Sequence, residues 1–372
     1  MPIILVSIIS GIVIHAANDQ KAYPANLYVG VTADGNITFS MALIDKVKDY
    51  VNLLIINNPD VVRNETSLDL ICDHARDAGL SFFVYMEDPS FWHYNYNPFS
   101  WIQDAETKYG KQFLGIYLHD EPGGNQLDQG SYRQFNLNHQ PPNYLYAANT
   151  YVYYTFLGLR SFIKTNLIVT SDYGLYWFDY EAGYDAIFCK FGQNRPQTTS
   201  IALCRGAAEM HNKTWGVMIT WAQNNPPYVE APNQLYQDMV TSYEAGAKYI
   251  IAFNYPETGP LGALTQDHFA AIKQFKQFVL ANPQNETSNT QKIAYVMPQN
   301  YGWGLRNPND TIWGVWPADN QSAAIWSTVN NLESQYSYNF DIIFYSGWTR
   351  AFAKQHYNTL IWSNTTRTSL IY

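Results

Sequence analysis

Residues 114–124 read LGIYLHDEPGG, and how this stretch is read decides the fold. An apolar and aromatic run ends in two adjacent carboxylates, Asp120 and Glu121, and Pro122, Gly123 and Gly124 then stop it. A strand with such an ending has either placed an acid at an active site or capped the next helix, with Asp120 as N-cap and Pro122 entering the first turn.

Similar short apolar runs recur on both sides of it. Strands are expected at 27–33, 51–57, 81–87, 113–119, 167–171, 185–191, 215–221 and 248–254. Most are continuously apolar rather than alternating, as in strands buried on both faces of a parallel sheet. Amphipathic segments lie between them. SLDLICDHARDAG (67–79), for example, opens on Ser and closes on Gly, a helix signature. Eight strand–helix units in this length predict an α/β fold, a (β/α)8 TIM barrel. The alternative, a doubly wound open sheet, lacks a Gly-rich phosphate loop after any strand.

The polar stretch ANPQNETSNTQ (281–291) breaks the rhythm and reads as a linker. Strands are expected again at 292–298, 340–346 and 357–363, with a helix over 322–336. This predicts a barrel over 21–280 and a small flavodoxin-like α/β domain over 292–372. Three strands bury little by themselves, so the small domain is expected to dock on the barrel, with the aromatic loop YGWGLRNPNDTIWGVWP (301–317) as the docking surface.

Composition narrows the function. Only 14% of the 372 residues are charged, while aromatics reach 16% with 30 Tyr and 11 Trp. A net charge of −9 and a pI of about 5.3 exclude the basic footprint that nucleic-acid binding needs. A surface poor in ions and rich in Tyr, Asn and Gln suits a neutral polar partner, a carbohydrate. Attachment to a cell surface and assembly with further copies of the chain both fit such a surface. Residues 1–20 resemble a secretory leader, an apolar run with small residues near Ala16 and Ala17, although no Lys or Arg precedes it. Asn-x-Ser/Thr sequons at Asn36, Asn64, Asn212, Asn285, Asn309, Asn320 and Asn364 point to a secreted or surface protein as well. Cys72, Cys189 and Cys204 make no disulfide framework and read as small buried hydrophobes.

In a barrel the site lies at the C-terminal ends of the strands. Those ends supply Asp34, Asn57, Glu87, Asp120 and Glu121, Asp172 and Tyr173, Lys190, Trp221, and Tyr255 with Glu257. Sugars have apolar C–H faces and hydroxyl edges, so Asn57, Glu87, Trp92, Tyr173, Trp177, Trp221 and Tyr255 are the expected substrate contacts. His119, Asp120 and Glu87 lack the spacing of a metal motif such as HExxH. No metal and no cofactor is expected.

The Asp120-Glu121-Pro122 ending resembles the Asn-Glu-Pro ending of strand 4 in the large clan of (β/α)8 retaining glycoside hydrolases. The barrel followed by a small domain is similar in architecture to the family-42 beta-galactosidases. The resemblance implies that Glu121 is the general acid/base, with Asp120 in place of the Asn that contacts the substrate hydroxyl. Glycoside hydrolysis requires a second carboxylate. The clan's strand-7 Glu is missing, since WGVMITWAQ offers Trp221 instead. Glu257, then Asp172, then Glu230 are the candidates to replace it. A non-catalytic surface-layer or carbohydrate-binding protein on a glycosidase-like barrel is the competing expectation.

Overall fold

The computed structural model describes residues 22–130, 140–192, 196–220, 230–255, 259–284 and 292–363. Eight parallel strands close into a barrel: β1 (Tyr28–Ala33), β2 (Leu53–Ile56), β3 (Ser81–Met86), β4 (Phe113–Leu118), β5 (Ile168–Asp172), β6 (Ala186–Phe191), β7 (Thr214–Ile219) and β8 (Tyr249–Ala252). Each pairs in parallel with the next, and β8 returns to β1 through Gly30 opposite Ile251. The strands fall where the apolar runs predicted them, with no end moved by more than two residues. The expectation of a barrel holds.

Helices alternate with the strands: α1 (Ile37–Val47), α2 (Pro59–Val62), α3 (Glu65–Asp77), α4 (Pro98–Tyr109), α5 (Pro122–Gln129), α6 (Tyr144–Leu159), α7 (Tyr176–Ala182), α8 (Gln197–Met210), α9 (Pro232–Glu244) and α10 (Gln266–Ala281). Several start on Asn. The side chains of Asn36, Asn64, Asn97 and Asn143 accept from backbone N–H groups in the first turn of α1, α3, α4 and α6. The sequons at Asn36 and Asn64 therefore coincide with helix caps.

Burial divides into two layers. Val29, Val31, Leu54 and Ile56 face outward under the helices, whereas Leu53, Ile55, Phe83, Phe188 and Tyr249 fill the lumen. This alternation is the pleat of each strand serving two cores. Phe188 and Tyr249 pack with ring centroids 5.3 Å apart, closing the barrel below its C-terminal mouth. All three cysteines are buried and unpaired. No helix among the described residues is long and apolar enough to cross a membrane.

A second parallel sheet follows, from β9 (Ile293–Met297), β10 (Asp341–Phe344) and β11 (Thr359–Trp362), with α11 (Asn320–Tyr336) and α12 (Thr349–His356) between its strands. Its order, β10-β9-β11, is the 2-1-3 start of a flavodoxin-like sheet. It packs tightly on the barrel. A Cβ on Gly206 of α8 would stand 2.4 Å from the Ile342 carbonyl oxygen of β10. The Arg205 guanidinium bonds the Asp341 carboxylate at 2.7 Å and the carbonyls of Ala245, Tyr338 and Phe340. The aromatic loop after β9 also docks as expected: Trp313 is fully buried against Tyr151 and Phe178. The Trp313 carbonyl accepts from the Gln126 amide of α5 at 2.8 Å, so this loop holds the helix that follows the Asp120–Glu121 turn.

Candidate active site

The turn after β4 is built by an unusual backbone. His119 and Glu121 both have positive φ, 55° and 54°, on either side of Asp120. Left-handed conformations are uncommon for residues with side chains and cluster at functional sites. Along a regular strand Asp120 and Glu121 would point to opposite sides; this double bend sends both to one lysine. Lys190 on β6 donates to Asp120 Oδ1 at 3.1 Å and to Glu121 Oε1 at 2.7 Å.

Pro122 does enter a helix, but neither acid caps it. Glu121 stands at the N-cap position of α5 without a side-chain capping bond. Asp172, at the end of β5, performs that task from outside. Its Oδ2 accepts from Gly123 N–H at 2.6 Å, and its Oδ1 from Gly124 N–H at 2.8 Å. The glycines are needed for this approach, since a Cβ on Gly124 would stand 2.2 Å from the Tyr173 ring.

Asp120 is the centre of the polar network. Its Oδ1 collects three donors: the Tyr117 hydroxyl, Ser171 Oγ at 3.0 Å and the Lys190 ammonium. Its Oδ2 accepts no hydrogen bond among the described residues. Asp120 sits on the wall of an open cleft, enclosed by protein groups, while 46% of its side chain still meets solvent. Enclosure would raise its pKa, but Lys190, Tyr117 and Ser171 outweigh it and hold the carboxyl below the ordinary range. Burial alone would discharge Lys190. Asp120 and Glu121 reverse that and keep the ammonium above its ordinary value. At neutral pH the site therefore presents an ionised aspartate and a charged lysine, which is not a nucleophile.

The cleft holds about 220 Å3 at the C-terminal mouth of the barrel. Asp34 follows β1, Asn57 follows β2, Tyr85 and Tyr117 rise from β3 and β4, and Lys190 and Met218 come from β6 and β7; Asp120 and Phe253 line it as well. Tyr85 and Tyr117 pack at 5.4 Å, and Trp92 stands edge-on to Tyr85 at 5.3 Å. The volume is below the 300–1,000 Å3 of drug-sized pockets and suits a single ring.

Of the expected site residues, the structure brings Asp120 and Asn57 into the cleft, with Glu121 beside it on Lys190. Glu121 is not among the described lining residues, and its side chain is 28% exposed. Trp92 backs the aromatic wall. Glu87 accepts from the Tyr85 hydroxyl at 2.7 Å and pairs with His119 Nδ1 at 2.6 Å, so it braces the wall and the turn.

Other expected residues lie elsewhere. Asp172 is wholly buried, with Gly123, Gly124, Tyr173 and Gly174 N–H groups on its oxygens. Burial pushes its carboxyl up to about 6. It has no oxygen to offer a substrate, which corrects its expected catalytic role. Trp177 is also corrected. It is buried against Phe344 and Trp348 of the C-terminal sheet region, and its indole N–H is held by Glu181 at 2.8 Å. Tyr173 donates to Asp128 at 2.5 Å beneath Arg306, and Tyr255 is buried. Neither lines the cleft, where Phe253 stands instead. Glu257 and Trp221 lie outside the described residues, as does the expected leader.

Lys190 and Asp34 stood at strand ends in the sequence without an assigned role. The signal for Lys190 was there: a lone cation inside DAIFCKF, a run otherwise buried. A lysine there needs carboxylate partners. Among the described residues no cluster of His, Cys, Asp and Glu is arranged to hold a metal.

No protein-family model matches the chain, and no curated protein sequence does. Solved structures share its fold at low identity. The alpha-L-fucosidase isoenzyme 2 of Paenibacillus thiaminolyticus is 13% identical with a TM-score of 0.50. That match covers 90% of this chain and 59% of the fucosidase. The endo-beta-1,4-mannanase of Thermotoga petrophila is 8% identical, with a TM-score of 0.46 over 72% of this chain and 81% of its own. An orotidine 5'-monophosphate decarboxylase of Methanocaldococcus jannaschii is 11% identical, with a TM-score of 0.36 over 68% of this chain and 97% of that one.

Proposed function

We propose that the chain is a glycoside hydrolase acting on a neutral carbohydrate in the cleft at the β4 end. One observation carries this reading: an ionised carboxylate, Asp120, faces a cleft for a single ring, walled by Tyr85 and Tyr117 and edged by Asn57. The rings offer C–H contacts, the amide offers hydrogen bonds to hydroxyls, and the carboxylate stabilises or captures the oxocarbenium-like centre that glycoside cleavage develops. The strand-4 resemblance to the retaining clan supports the same class of reaction. The resemblance gave the acid role to Glu121; in this reading Glu121 instead holds Lys190 in place, and Asp120 carries the working charge. The sequons and the apolar N-terminal run support secretion, which N-terminal sequencing of the mature protein tests.

The test is a screen of aryl glycosides and polysaccharides with wild type, Asp120→Asn and Glu121→Gln. Hydrolysis by wild type and its collapse in Asp120→Asn are the expected results. The second reading, a non-catalytic carbohydrate-binding protein, is favoured by Lys190 bonding both carboxylates of the β4 end. Glycan binding by calorimetry without turnover of any substrate would establish that one instead.

A further inference from the structure

We infer that the cavity on the second sheet binds a neutral saccharide, at a site separate from the barrel cleft. This cavity holds about 380 Å3, more than the cleft and inside the range of roughly 300–1,000 Å3 usual for small-ligand pockets. The two share no described lining residue, so binding at one does not require turnover at the other.

Topology places the cavity. β9 lies between β10 and β11, so the chain crosses from one side of β9 to the other. Ligands of open α/β sheets enter beyond the strand C-termini at such a reversal. Trp362 is the last residue of β11, and Asn320 is the first of α11, the helix between β9 and β10. Both line the cavity, together with Tyr295 of β9 and with Ile325 and Thr328 further along α11.

Tyr295 is the residue that calls for a ligand. Its side chain is only 2% exposed, yet its hydroxyl makes no hydrogen bond to a described residue. Nor is that oxygen among the polar atoms sealed inside the protein without a partner. It therefore opens on the cavity that Tyr295 lines. A buried tyrosine hydroxyl usually has a partner, and here a ligand can supply one. Burial pushes this hydroxyl up to about 12, so at neutral pH it can both donate and accept.

The walls select the class of ligand. None of the described residues that line the cavity is charged, so an ionised ligand would lose its hydration there without compensation. The N-terminus of α11 offers no anion site either, because the chain's own carboxylate is on it. Asp319 Oδ1 accepts from the Ser322 N–H at 2.9 Å and from the Tyr301 hydroxyl at 2.7 Å. A phosphate would meet that negative charge, which rules against nucleotides. A neutral molecule with apolar faces and hydroxyl edges fits instead. The Trp362 ring, steadied by Tyr345 with centroids 6.2 Å apart, supplies an apolar platform. Asn320, Thr328 and Tyr295 supply hydrogen bonds for hydroxyls, so a pyranose ring is placed on the indole with its edge toward them.

The experiment places 5-fluorotryptophan in the full chain and follows the fluorine resonance of Trp362, assigned with Trp362→Phe. The probes are the methyl glycosides of glucose, mannose, galactose and fucose, with adenosine monophosphate as the anionic counterpart. At least one glycoside should shift the Trp362 resonance saturably, with a dissociation constant in the millimolar range, and adenosine monophosphate should not. Tyr295→Phe should weaken that glycoside roughly fivefold, while the fluorine spectrum of the free variant stays as in wild type and reports its folding. A Trp362 resonance unmoved by every glycoside overturns the site. A shift with adenosine monophosphate alone overturns the ligand class. Unchanged affinity in Tyr295→Phe overturns the part given to its hydroxyl. The readout is binding at Trp362, so hydrolysis in the barrel cleft, or its absence, is decided separately.

Discussion

Two regions of the barrel rim each carry a pair of acids, and the pairs are in opposite states. After β4, Asp120 and Glu121 share Lys190, and Asp120 is held ionised beside an open cleft. Before α9, Glu230 meets Asp238 with no cation among the described residues. Burial and the Asp238 charge push the Glu230 carboxyl up to about 9. Asp238 also titrates above its ordinary value through burial, against the pull of Glu230 and two amides, Gln234 and Gln197, each 2.7 Å away. Beside Glu230 lies a space of about 10 Å3, room for about one water. The residue types are the same in both regions; one lysine separates a carboxylate held ionised beside an open cleft from a pair that burial holds toward its protonated form. Glu230, a candidate for the missing strand-7 carboxylate, therefore does not serve the cleft.

Breaking the charged pair should have the largest effect. Asp120→Asn is expected to lower kcat/KM roughly 10^4-fold on aryl glycosides. Lys190→Met should come next. It strands two carboxylates that were arranged around an ammonium, and costs roughly 3 kcal/mol, moderated because Asp120 is half exposed. Urea denaturation measures this, and a double variant Lys190→Met/Glu121→Gln should recover part of the loss.

The uncharged pair should respond in the opposite direction. The folded pKa of Glu230 lies above its unfolded value, so the native state keeps a proton that the unfolded chain releases. Stability from this group is full below about pH 4.5 and falls as pH rises toward about 9. Glu230→Gln keeps the amide donor for Asp238 and does not titrate. Between pH 5 and pH 8 the variant should lose up to about 4 kcal/mol less than wild type, as read by urea midpoints at both pH values. The smallest effect belongs to Tyr117→Phe, which removes one of three donors to Asp120. About 1 kcal/mol of stabilisation of the charged form is lost. The acid limb of the activity profile, expected below the ordinary carboxylate range, should move up by under one pH unit.

Much of the fold could be read from the chain because each strand buries both faces and therefore appears as an uninterrupted apolar run. VNLLIIN and KYIIAFN needed no partner to be recognised. The C-terminal unit was readable for the same reason, and the Trp-rich loop announced itself as a docking surface by exposing more aromatic area than a small sheet can cover. The site was readable only in part. Asp120 stands out because two acids end an apolar strand. Asp172 ends β5 in a similar way, yet it is buried under α5, and Trp177 looks like a sugar platform until the C-terminal sheet closes over it.

By itself the sequence determined the barrel, the second sheet and the rim on which a site had to stand, because hydrophobic periodicity is a local property of each segment. Which carboxyls are charged, and which face the cleft, only the tertiary structure decided. A carboxyl's pKa and exposure depend on groups that arrive from other strands. Lys190 stands 70 residues from Asp120 along the chain, and only barrel closure brings its ammonium within 3.1 Å.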